Sequence, residues 1–117
     1  MKTLLLTAAT MVVIAGTCAQ AGTIKPSQAL SNQGQLVIVE GTANVHTDAG
    51  RSGVDVELVG TDNSHMTAFI PQQSVNVFPA LDTFDGKHVN VTGVVVFNGG
   101  KVEIRLMRAN QLKLAEP

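Results

Sequence analysis

Hydrophobic and polar positions alternate with a period of two through most of this chain, and the alternating stretches are short. Val54, Val56 and Leu58 fall on one side and Asp55 and Glu57 on the other, the period of a half-buried strand. Val89, Val91, Val95 and Phe97 share a face with Gly93, opposite His88, Asn90 and Thr92. Val102, Ile104 and Leu106 alternate with Lys101, Glu103 and Arg105. Leu36 to His46 predicts a long first strand, in which Gly41 marks a bulge or tight bend. His65 to Ile70 predicts a third strand after the turn Gly60-Thr61-Asp62-Asn63. Asn98-Gly99-Gly100 predicts a tight hairpin turn. Gln111 to Leu114 either finishes the last strand or pairs elsewhere.

Pro71 to Phe84 breaks the alternation. Two prolines and spaced apolar residues (Val75, Val77, Phe78, Leu81, Phe84) suit a short helix or turn-rich connector plugging one end of a barrel. Five strands, a bent first strand and an irregular or helical insert between the third and fourth predict an all-β, five-stranded Greek-key barrel of the oligonucleotide/oligosaccharide-binding (OB) type. The alternative is a sandwich of five to seven strands.

The ends of the chain read differently. Met1-Lys2 precedes an apolar run from Leu4 to Gly16, and Ala19-Gln20-Ala21 offers small residues where a signal peptidase reads. Residues 1–21 are therefore expected to be a signal peptide, too short to span a bilayer as a helix. The expected destination is the periplasm or the exterior, with lipid attachment at Cys18 as the alternative. Residues 22–34 are polar, carry Pro26 and read as a flexible tether; residues 35–117 form the expected OB domain. Past residue 21 there is no cysteine, which excludes a thiol nucleophile and thiolate metal ligands there. Without Lys2, seven basic residues stand against nine acidic ones, an unusual balance for a strong nucleic-acid binder.

The run from Val37 to Leu114 resembles the bacterial OB-fold nucleic-acid-binding domains of the anticodon-binding and exonuclease-subunit kind. The resemblance is carried by Glu40-Gly41, by Ala68-Phe69-Ile70-Pro71, by Gly86-Lys87 with Val89, Val91-Thr92-Gly93 and Val95, and by Asn98-Gly99-Gly100-Lys101 with Ile104. It implies a ligand held on strands two and three, between the first-to-second and fourth-to-fifth strand loops. Those loops carry Arg51 and Lys101 beside glycines, and Arg105 and Arg108 lie just beyond the second. Arg51, Lys101 and Arg105 on phosphates, with Phe69 beneath a base, would suit a short single strand of nucleic acid. Phe69 faces the ligand only if Met66, Ala68 and Ile70 face inward, and a one-residue slip reverses this. Phe78, Phe84 and Phe97 are assigned to the core.

Asp55 and Glu57 oppose that reading, because carboxylates repel a phosphate backbone. With His65 they suit a divalent cation, or they form a solvated outer face; their spacing matches no metal motif, so no metal or other cofactor is expected. The alternative function is accordingly a protein-, cation- or saccharide-binding module. His46 and His88 read as polar surface residues. Asn90-Val91-Thr92 matches a glycosylation sequon, within a strand expected to be paired. With no nucleophile elbow, phosphate loop or paired-histidine motif in the sequence, the chain is not expected to be an enzyme.

Overall fold

The computed structural model describes residues 22–47, 52–78 and 80–115. Six strands form one sheet: β1 (Leu36–His46), β2 (Gly53–Val59), β3 (His65–Pro71), β4 (His88–Asn98), β5 (Lys101–Arg105) and β6 (Leu112–Leu114). The long β1 pairs antiparallel with β4 through its first half, from Leu36↔Val94 to Thr42↔His88. Its second half pairs with β2, from Thr42↔Val59 to His46↔Asp55. Gly41 precedes the residue where pairing passes from one partner to the other, and a Cβ there would lie 3.0 Å from the Val59 carbonyl oxygen. That close approach is the physical content of the bend expected at Gly41.

β2 pairs antiparallel with β3, β4 with β5, and the parallel pair Thr67↔Glu103 to Phe69↔Arg105 joins β3 to β5. Five strands thus close into a ring, β1-β2-β3-β5-β4 and back to β1. The molecule is an all-β, OB-like barrel. Inside it, the alternation delivers Val39, Ala43, Val56, Leu58, Ala68, Ile70, Val89, Val91, Val95 and Ile104, all at 0% exposure. Gly93 takes an inward position because Ile104 fills the space: an added Cβ would overlap Ile104 Cγ2.

Between β3 and β4 lie two 3-10 turns, Gln72–Val77 and Leu81–Phe84. Phe78, just past the first, is buried in the core, and Val75, Leu81 and Phe84 pack half-buried against that core, so the insert plugs the barrel as expected. Val77 departs from that expectation and is exposed.

Three further expectations are corrected. Phe97 keeps the inward parity of β4 but is 53% exposed, because it pairs with Val102 near the tip of the β4–β5 hairpin, where no opposing barrel wall remains to cover it. β5 ends at Arg105, one residue short of Leu106, where the alternation ends, and residues 112–114 form β6, which pairs with β4 over Val89↔Leu114 to Val91↔Leu112. Gln111 bridges the gap between β5 and β6 by donating its amide to the carbonyls of Thr92 (3.0 Å) and Arg105 (3.2 Å). Finally, the segment read as a tether packs on the barrel. Ile24 bridges Val39, its N–H donating to the Ile38 carbonyl and its carbonyl accepting from the Glu40 N–H. The turns Pro26–Gln28 and Leu30–Asn32 follow, and Ala29 between them is 0% exposed.

Candidate nucleic-acid interface

The pairing registers fix which side chains share the outer face of β1, β2, β3 and β5. One cross-strand row reads His46, Asp55, Phe69, Arg105 and the next Asn44, Glu57, Thr67, Glu103, ending on Val96 of β4. Side chains directly opposite in such rows are close enough to interact, so the face is a mosaic of both charge signs around one aromatic ring.

Phe69 takes the outward parity, with Met66, Ala68 and Ile70 turned inward at 0–4% exposure. It is nevertheless only 5% exposed. The Arg105 guanidinium carbon sits 5.7 Å from its ring centroid, within cation–π range. Gly53 also lies against the ring, since an added Cβ would lie 2.9 Å from ring atoms Cε1 and Cζ. Phe69 therefore offers no open stacking surface, and the Arg105 guanidinium stands over its ring. Arg105 itself is half exposed, its Nε 3.8 Å from Glu103 Oε2.

Glu103 was expected to face solvent with Lys101 and Arg105, and it does lie on their face, but it is 1% exposed. A carboxylate so placed needs partners; Asn98 Nδ2 donates to it at 3.4 Å, and Arg105 stands beside it. Lys101, opposite Asn98, is exposed at the base of the hairpin turn. Arg51 lies outside the described residues.

Two histidines converge on Glu57. His65 Nδ1 is 2.8 Å from Oε2, and His46 Nε2 is 3.8 Å from Oε1. The hydrogen bond with His65 holds the Glu57 carboxyl below its ordinary 4.5 against the opposing effect of partial burial, with smaller help from the charges of His65 and His46 and from Asn44. Between this group and the hairpin lies a cleft of about 290 Å3, lined by Glu57, His65, Thr67, Gly100, Lys101 and Val102. Asp55 pairs along the other row, beside His46 and Phe69, so the carboxylates and His65 do not come together as ligands. Among the described residues no group of three or more His, Cys, Asp or Glu side chains could hold a metal ion.

The third histidine repeats the pattern away from this face. His88 Nε2 lies 2.7 Å from Glu40 Oε2, and the Thr23 hydroxyl donates to the other oxygen at 3.1 Å. They border a cleft of about 220 Å3 that also meets Lys25, Gln28 and Thr61. The carboxylate stands between hydroxyl and imidazole, so the imidazole cannot take the hydroxyl's proton and no nucleophile–base pair forms.

Phe97 and the depth of Glu103 were beyond sequence reasoning: strand parity assigns sides but does not say where the barrel wall ends or what covers an outward position. The Glu57–His65 approach was visible as two residues across one turn.

No family model matches the chain, and no match is found among curated proteins. Solved structures do match it. One is the crystal structure assigned as an aspartyl-tRNA synthetase from Leishmania major Friedlin, with a TM-score of 0.55 and 11% identity, covering 91% of this chain and 23% of that one. The likeness is one of fold: this chain spans about a quarter of the larger protein's length, and both contain the same kind of β-barrel.

Proposed function

We propose that this chain is an exported binding module, without chemistry of its own, that holds a short stretch of single-stranded nucleic acid between the outer face of β2 and β3 and the β4–β5 hairpin. One observation carries the reading. The hairpin brings Lys101 over a cleft whose floor supplies Glu57, His65 and Thr67, with Arg105 on the same face. Lys101 and Arg105 suit phosphates, Thr67 and Glu57 suit the hydrogen-bonding edge of a base, and Arg105, over the covered Phe69 ring, offers a base a cationic partner. Arg51 is the remaining candidate cation on the β1–β2 connection. The structural neighbour, named as acting on a tRNA, is in keeping with this ligand class.

The carboxylates set the limits. Asp55, Glu57 and Glu103 face the same side as the two cations, so a long polyanion is repelled and the site suits one or two nucleotides held weakly. A fluorescence-anisotropy titration with labelled single-stranded DNA and RNA at low and moderate salt tests this. Saturable binding that weakens with salt, at the shallow slope of one or two phosphate contacts, is expected, and Lys101→Glu with Arg105→Glu should abolish it. Equal binding by that double variant would sink the assignment.

A second reading, a protein partner, is favoured by one specific feature. Leu36 (71% exposed), Val94 and Val96 lie on the outer face of β1 and β4, and Met107 follows β5, an apolar group outside the cleft. Absence of nucleic-acid binding at low salt would move the function there.

A further inference from the structure

We infer that the ligand face is a pH-controlled anion site, in which protonation of His46 and His65 around Glu57 turns a face that repels a polyanion into one that attracts it. The inference rests on the nucleic-acid reading and names how that site is regulated.

The charge count on the face decides the sign. Asp55 and Glu57 on β2 and Glu103 on β5 stand against Lys101 and Arg105 on β5. β3 adds only Thr67 and Phe69 besides His65, and β1 adds Asn44 besides His46 where it pairs with β2; Glu40 shares their parity but lies where β1 pairs with β4, in its own pair with His88. With neutral imidazoles the face carries three negative charges against two positive. With both protonated it carries four positive against three, so the net sign reverses. The neighbouring segments do not alter this. Asp85 and Lys87, which run along the free edge of β1 where Gly86 and Lys87 pair with Ala43, carry opposite charges. So do Asp48 and Arg51 in the β1–β2 connection.

The geometry puts the change where the ligand would meet it. His46 and His65 are on different strands, yet both point at one carboxylate, and their side chains are 51% and 54% exposed. Imidazole changes charge between about pH 5 and 8, whereas Glu57 stays ionised there because His65 holds its carboxyl low. Protonation on this face therefore adds cations without removing an anion. His88 makes the same contact with Glu40 on a different part of the barrel, which supplies an internal control.

The test is the affinity of the full protein for a labelled oligothymidylate, measured at fixed ionic strength from about pH 8 down to about pH 5. Two added cations are expected to tighten the dissociation constant on the order of tenfold across that range. His46→Gln with His65→Gln should flatten the response, and both rings are exposed enough for glutamine to be accommodated. His88→Gln should keep the wild-type response. Binding that is salt-sensitive but indifferent to pH would overturn the inference while leaving the nucleic-acid reading in place. A pH response that survives in the double variant would overturn it equally. No binding at any pH at low salt would remove the reading and the inference together.

Discussion

At the scale of single residues, the outer face is shaped as much by what is missing as by what is present. Gly53 opens β2 at φ +139°, in a region where a side chain is strained. A Cβ there would collide with the Ile70 carbonyl oxygen and press on the Phe69 ring. The glycine thus serves backbone and face together, since it leaves room for the Phe69 ring beneath Arg105. Gly53→Ala is expected to destabilise the protein by about 2 kcal/mol or more, read from urea unfolding, and to loosen Arg105 and so weaken binding. A variant as stable as wild type would contradict the described position of the ring. None of this was legible from the sequence, where Gly53 is simply the last glycine of a loop. The requirement comes from a diagonal neighbour on another strand.

At the scale of elements, the β4–β5 hairpin is the clearest case of a pattern outrunning its structure. Alternation carries Phe97 onto the side of Val95, and that side is buried for as long as the barrel wall lasts. Val95 is 0% exposed and Phe97 53%, two residues apart. Parity is a property of the strand; burial is a property of what stands opposite. Phe97→Ala should therefore leave stability within about 0.5 kcal/mol of wild type and leave oligonucleotide binding unchanged, because Phe97 points to the opposite side of the hairpin from Lys101 and Arg105. Thermal melts and anisotropy on the same sample check both statements, and a large loss of stability would return Phe97 to the core. The segment before β1 shows the converse. It has no periodicity to read, yet Ala29 and Pro26 are buried in it, because its ordering comes from a bridge to β1 and side-chain bonds to a distant turn.

At the scale of the whole molecule, one of those bonds makes stability depend on pH. Asp62, in the β2–β3 turn, accepts from the Ser64 hydroxyl at 2.5 Å and from the Ser27 hydroxyl at 2.8 Å. These two bonds, Ser64's first, bring its carboxyl from 3.8 down to about 2. The folded state therefore prefers the ionised form. The resulting stability is complete above about pH 4 and is lost as pH falls towards about 2, and Glu57, also lowered, acts with the same sign. The melting temperature should fall over that interval. Asp62→Asn should melt lower than wild type at pH 5 and show a shallower decline in acid. Parallel curves for the two proteins would show that the turn does not tie residues 22–34 to the barrel.

What the sequence by itself determined is the set of strands and their inner sides. Branched residues alternating with polar ones, interrupted by Gly60 to Asn63 and by Asn98-Gly99-Gly100, place β1 to β5 within a residue or two at most boundaries. The break at Pro71 to Phe84 locates the plug. These are local properties: period two, turn chemistry and loss of periodicity act over a few residues and leave their mark in order along the chain. Only the tertiary structure decided that Phe69 is covered, that Glu103 is buried, that Phe97 is open, and that His46 and His65 share Glu57. Each depends on register between strands far apart in sequence and on where the closed barrel ends, and no local pattern of residues encodes either.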